Sequence, residues 1–239
     1  GTTSAPYSSG QQNTALGENA LSGFTTGNYN TAIGRRAGMN LTTANHNTMV
    51  GTHAGGTTTT QISNTFIGSG AGYGFDSGDG GNTMVGESAG YYGDGGCCNV
   101  AAGRMAIYGQ AGTNNAKWNV VIGDQPGAQL NTGDNNVLVG QKAGEKLAGG
   151  NYNVLIGNQA SASSAGVYHE IIIGSGADAV TGFHGAGTET IRVGRASDFI
   201  TNDFGENATW THTSDKRIKK DIKDTTLGLD FVLKLQSNY

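Results

Sequence analysis

Short aliphatic runs, each closed by a glycine, recur along this chain at a nearly constant spacing. Asn30-Thr31-Ala32-Ile33-Gly34, Asn64-Thr65-Phe66-Ile67-Gly68, Asn136-Val137-Leu138-Val139-Gly140 and Asn153-Val154-Leu155-Ile156-Gly157 are copies of one phrase. The closing glycines are Gly17, Gly34, Gly51, Gly68, Gly86, Gly103, Gly123, Gly140, Gly157, Gly174 and Gly194, mostly about 17 residues apart with two longer steps. Such a period, built on single short strands, predicts a solenoid. Each apolar run is too short for a helix and rich in β-branched residues, so a strand of about four residues is expected.

With the closing glycine as position 0, the other positions line up in columns. Position −4 holds Asn13, Asn30, Asn47, Asn64, Asn82, Asn99, Asn119, Asn136 and Asn153, then Glu170 and Thr190. Position +3 is usually alanine, as at Ala37, Ala54, Ala71, Ala143 and Ala160. The glycine permits a corner with positive φ or a close backbone approach, and the alanine lets the next leg pack tightly. The asparagines have two readings: a hydrogen-bonded ladder from coil to coil, for which Asn30, Asn47, Asn64, Asn136 and Asn153 are the candidates, or turn chemistry alone. Side chains alternate along a strand, so −3 and −1 share one face and −2 takes the other. Both faces are apolar. One therefore faces the coil interior, and the other, assigned to the −2 column (Ala32, Met49, Phe66, Met84, Leu138, Leu155, Ile172), faces neighbouring chains. An apolar stripe along an elongated surface marks an interface, and a parallel homotrimer with cyclic symmetry closes it.

The composition changes this picture little. Glycine is abundant (42 of 239) without a strict third-position period, which excludes collagen, and only 13% of residues are charged. A net charge of −4 without a basic block gives no case for nucleic acid. No apolar run is long enough to cross a membrane, and no secretory leader is expected at Gly1. Cys97 and Cys98 are adjacent and cannot make a four-ligand zinc site; they read as small turn residues or as a cross-chain disulfide. Asp76, Asp79 and Asp94 lack the recurring pattern of calcium-binding β-rolls. His46, His53, His169 and His184 show no metal-ligand spacing and read as surface histidines. Neither a metal nor a cofactor is expected. The inter-repeat loops Gly74–Gly81, Tyr91–Gly96 and Gly109–Trp118, with Tyr108 and Trp118 at the edges of the last, either shield the coil or contact a sugar or protein.

The repeat ends near Ala196, and Phe199, Ile200, Phe204 and Trp210 read as a cap or connector. A charge run over residues 216–224 follows. Leu227, Phe231 and Leu235 then recur every four residues, which predicts an amphipathic helix opened by Thr225 or Thr226. The expected organisation is a lead-in segment (1–12), solenoid repeats (13–194), a connector (195–213) and a C-terminal unit (214–239).

Two resemblances bear on these residues. The Asn-Thr-Ala-Ile-Gly repeats over about 13–194 resemble the trimeric left-handed β-rolls of bacterial adhesin heads and phage fibres. Thr213-Ser214-Asp215-Lys216-Arg217-Ile218-Lys219-Lys220-Asp221-Ile222, with Gly228-Leu229-Asp230-Phe231, resembles the start of the peptidase S74 intramolecular chaperone of phage tailspikes and fibres. That family trimerises its chains and then cuts itself off. The resemblance implies Ser214 as nucleophile, Lys219 as its partner and cleavage after Thr213. The chemistry is consistent: a serine hydroxyl needs an adjacent base, and a lysine serves if burial or neighbouring cations lower its pKa. Together these give an all-β, homotrimeric parallel β-solenoid with a short C-terminal α-helical stub. They imply a phage or phage-like tail fibre, extracellular or on the virion, that presents loops to a host-surface glycan or protein receptor. No turnover enzyme is expected, only single-turnover autoproteolysis. The competing readings are a bacterial extracellular adhesin or filament protein and a polysaccharide-degrading tailspike. The last needs a carboxylate pair roughly 5–10 Å apart, and acidic residues are sparse in the repeats.

Overall fold

The structure is a computed structural model that describes residues 9–78, 80–93, 95–110, 114–176, 183–196, 198–205 and 207–212. Its backbone is a parallel β-solenoid of about ten turns, with no helix among the described residues. Nine strands of three residues come first: β1 (Thr14–Leu16), β2 (Thr31–Ile33), β3 (Thr48–Val50), β4 (Thr65–Ile67), β5 (Thr83–Val85), β6 (Val100–Ala102), β7 (Val120–Ile122), β8 (Val137–Val139) and β9 (Val154–Ile156). They are one residue shorter than expected because the asparagine before each leaves the strand for the corner. β10 (Ile171–Ser175), β11 (Thr190–Arg195), β12 (Asp198–Asp203) and β13 (Asn207–His212) are longer. All thirteen form one sheet in chain order.

From β1 to β10 every pairing is parallel and joins like positions, for example Thr48↔Thr65, Met49↔Phe66 and Val50↔Ile67. The sequence columns are therefore physical columns along the axis. Ala32, Met49, Phe66, Met84, Ala101, Val121, Leu138, Leu155 and Ile172 are completely buried, with the +3 alanines from Ala37 to Ala160 and with Leu41, Phe75, Leu130 and Leu147 from the opposite leg at no more than 2% exposure. The −2 column is thus the inside of the coil. This corrects the assignment of that column to neighbouring chains: a three-residue strand closing on a narrow coil points its middle residue inward, so −3 and −1 point out.

The corners explain two sequence features. At Gly34 φ is +132°, a region closed to other residues, and a Cβ there would stand 2.5 Å from the carbonyl oxygen of Gly51 in the next coil. At −5, Tyr29, His46, Trp118, Tyr152 and His169 are left-handed at φ 55–60° although they are not glycine. That conformation turns each N–H to the preceding coil; Tyr152 donates to the carbonyl of Asp134 at 3.0 Å and His46 to that of Asn28 at 3.0 Å. Inter-coil hydrogen bonding offsets the local backbone cost.

The parallel array stops at β11. β12 pairs antiparallel with β11, and β13 antiparallel with β12, with a register shift between Thr201 and Asp203.

Candidate binding surfaces

Three side-chain columns could carry function, and the asparagine column sets their geometry. Asn30, Asn47, Asn64, Asn136 and Asn153 are at most 1% exposed. The backbone N–H of Asn136 donates to Asn119 Oδ1 at 2.9 Å, and its Nδ2 donates to the same oxygen at 3.0 Å and to the Gly150 carbonyl at 2.8 Å. Asn153 repeats the set toward Asn136 and Val167, as does Asn47 toward Asn30 and Gln61. The N–H of Asn64 donates to Asn47 Oδ1 at 2.9 Å. An amide carries both donor and acceptor, so each rung satisfies the one before and presents the same acceptor to the next. A second, outer column went unread in the sequence. The N–H of Asn28 donates to Asn45 Oδ1 at 2.7 Å, and that of Asp134 to Asn151 Oδ1 at 2.7 Å. The recurrence of Asn or Asp at −6 was its signal.

The first outward surface is the outer face of the sheet. Ile33, Ile67, Val85, Val100, Val120, Ile122, Ile156 and Ile173 are all 36–41% exposed. Val50, Val137, Val139, Val154 and Ile171 in the same columns are partly buried, and Leu16 at the first coil is 67% exposed. With the −3 threonines they make an uncharged stripe along β2–β10.

Beside it, at +1, runs a polar column. Glu18 pairs with Arg35 at 3.2 Å and Arg104 with Asp124 at 2.8 Å, while Asn158 donates to Gln141 at 2.8 Å. These exposed pairs are each worth up to about 1 kcal/mol. They set acids against arginines of the adjacent coil, not against a second carboxylate.

The third surface is aromatic. Tyr73, Tyr91 and Tyr108 share position +5 in consecutive coils and stack with centroids 4.9 and 5.5 Å apart, at 12° and 19° between planes. The separation is close to the strand spacing of about 4.8 Å. Tyr92 stands edge-on to both Tyr91 and Tyr108, and His53 edge-on to Tyr73 at 6.2 Å. Burial, then the neighbouring phenols Tyr73 and Tyr92, push the Tyr91 hydroxyl above its usual pKa of 10.0; burial, then Tyr92, does the same for Tyr108. Of the loop aromatics singled out in the sequence, Tyr108 belongs to this stack, while Trp118 stands exposed at −5. An open notch of about 260 Å³ lies at the His53 end.

The histidines are spread among these surfaces. His46 stacks on Tyr29 at 4.8 Å, and His169 lies against Tyr152 and Tyr168. His184 is half-buried, and burial, then Lys146 and Arg192, lower its pKa below 6.5 against the opposing charge of Glu170. No group of three His, Cys, Asp or Glu is placed to hold a metal among the described residues. Cys97 is buried and Cys98 exposed; neither is in a disulfide, and their sulfurs lie 3.1 Å apart. Ser214, Lys219, the Thr213–Ser214 bond, the predicted C-terminal helix, Asp79 and Asp94 lie outside the described residues.

Compared with known protein families, characterised proteins and solved structures, the chain gives no match.

Proposed function

We propose that this chain is the shaft and attachment segment of a homotrimeric extracellular fibre of the phage-tail kind, followed by a trimerisation chaperone that begins at Ser214 and cuts itself off after Thr213. The observation that carries the proposal is the partly exposed aliphatic stripe on the outer face of the sheet. Its occupant is a second and third copy of this chain. The stripe repeats once per coil without a charge, so an identical chain in the same register offers a matching stripe along its whole length. Nine coils of contact supply the extended apolar area that permanent assemblies use. Three such faces about a common axis close the assembly and leave the polar and aromatic columns outside.

A chaperone suits this architecture. Repeats can pair one period out of register, and three identical chains multiply the errors. A terminal domain that trimerises first fixes the register, and its removal makes the product kinetically stable.

The native mass tests the proposal. A trimer gives about 73 kDa, three times 24.4 kDa. Ile122→Lys places a charge in the middle of the stripe and should yield monomer with an unchanged β spectrum. A wild-type monomer overturns the fibre reading, and a dimer overturns the three-fold one.

A further inference from the structure

We infer that the notch between His53, Tyr73 and Tyr91 is a carbohydrate-binding site for a neutral sugar residue of a surface glycan. This deepens the attachment reading above and rests on it for its biological setting, though not for its chemistry.

The site exists because one column loses its side chains. At +2 the chain carries Arg36, His53, Gly70, Ser88 and Met105 in successive coils. Long side chains would fan out over the surface there, but Gly70 has none and Ser88 only a hydroxymethyl. Tyr91 leans into the freed space, so that a Cβ at Gly70 would lie 3.1 Å from its ring. Tyr73 leans likewise over Gly56. The +1 residues of these coils, Thr52 and Ser69, are also short, whereas their counterparts in neighbouring coils are Arg35 and Glu87. The result is a gap in two adjacent columns, walled by His53 and floored by the tyrosine stack.

The lining matches a sugar and little else. Thr52, Ser69 and Ser88 offer hydroxyls that can donate and accept, His53 an imidazole, and Tyr73 and Tyr91 phenols beside ring carbon. Among the described residues no charged side chain lines the notch, so a neutral hexose fits and a sialic or uronic acid finds no cation there. The hydroxyls of Thr52, Ser69 and Ser88 make no hydrogen bond to another described residue. The raised phenol of Tyr91 keeps its hydrogen-bonding proton throughout the physiological range. Stacking locks the tyrosines, so little rotamer freedom is lost on binding. The volume is below that of a typical drug pocket, about 300–1,000 Å³, and holds one sugar ring or a terminal disaccharide.

Single-site affinity should be weak, on the order of millimolar, and three copies on one fibre would raise it by multivalency. The test is saturation-transfer NMR on the full chain with glucose, galactose, mannose, N-acetylglucosamine, lactose and maltose as probes. At least one should receive saturation, with intermolecular contacts to tyrosine ring protons. Ser69→Gln fills the gap without threatening the fold, because Gln141 occupies the same +1 position in a later coil. It should weaken binding at least tenfold, as should Tyr73→Leu, while Asn158→Gln in the same column leaves binding unchanged. If no probe binds, or if binding survives Ser69→Gln, the inference is overturned. Native mass on the same samples separates the two proposals. A trimer that binds none of the sugars removes the site and keeps the fibre; a monomer whose sugar binding is lost in Ser69→Gln removes the fibre and keeps the site.

Discussion

The regular coils from Asn13 to Gly157 and the closing coils from Glu170 to Asp203 are built on the same column plan but end differently. In the regular coils the −4 asparagine both accepts and donates, so each coil is a template for the next and nothing in the array says where to stop. At Glu170 the side chain can only accept. Its N–H still donates to Asn153 Oδ1 at 2.9 Å, so the ladder reaches it. Its carboxylate, wholly buried, instead takes the N–H groups of Ser163 at 3.0 Å and Gly187 at 2.9 Å. In the following coil Thr190 bonds locally, to the Gly187 carbonyl at 2.7 Å. Around this point the packing changes character: Phe183 meets Phe199 at 6.0 Å, the guanidinium of Arg192 lies 4.2 Å from the centre of the Phe199 ring, and β12 folds back antiparallel. The ladder changes here because the Glu170 oxygens are taken by the N–H groups of Ser163 and Gly187 while Thr190 bonds within its own coil. The antiparallel strands then occupy an edge that would otherwise invite further pairing.

The largest test of this difference is to remove one rung in each region. Asn136→Ala leaves Asn153 without the acceptor for two donors and strips a donor from the Gly150 carbonyl, all in the dry interior. At about 1–3 kcal/mol for each of these three groups, the loss should be roughly 3–9 kcal/mol by chemical denaturation. Thr190→Ala removes one local bond and should cost about 1 kcal/mol. Equal losses would mean that the ladder is no more cooperative than a turn.

A finer test is Glu170→Gln. The shape is kept, but an NH2 now faces one of two backbone donors. A loss of about 1–3 kcal/mol is expected, with hydrogen exchange accelerated at Ser163 and Gly187 and unchanged at Asn119 and Asn136. Acceleration spread evenly along the chain would show that the two regions open as one unit.

The smallest effect comes from pH. His184 has its pKa held below 6.5, so the unfolded chain takes up the proton first as pH falls. Its contribution is whole above pH 6.5 and is lost as the pH drops from there through the folded pKa. The amide of Gly185, which donates to Ser161 at 2.9 Å, should lose protection between pH 7 and 5 after correction for intrinsic rates, while Asn136 keeps its own. Protection unchanged at Gly185 would show that closing-coil stability does not depend on this imidazole.

Repetition along the chain was enough to specify the β-solenoid, its period near 17 and its columns, because repeated residues align once strands pair in register. It flagged Glu170 and Thr190 as departures from the asparagine column, though not what they do. It did not determine which strand face is inside. Phe66 and Ile67 are both apolar, and only closure of the coil put the first at 0% and left the second at 40% exposure. Nor did it reveal the tyrosine stack. Tyr73, Tyr91 and Tyr108 all stand five residues after a closing glycine, but only the packing of successive coils brings their rings face to face at 4.9 and 5.5 Å. Short-range pattern fixes which residues repeat; the curvature of the coil and the loops that take up its irregularities decide what those residues face.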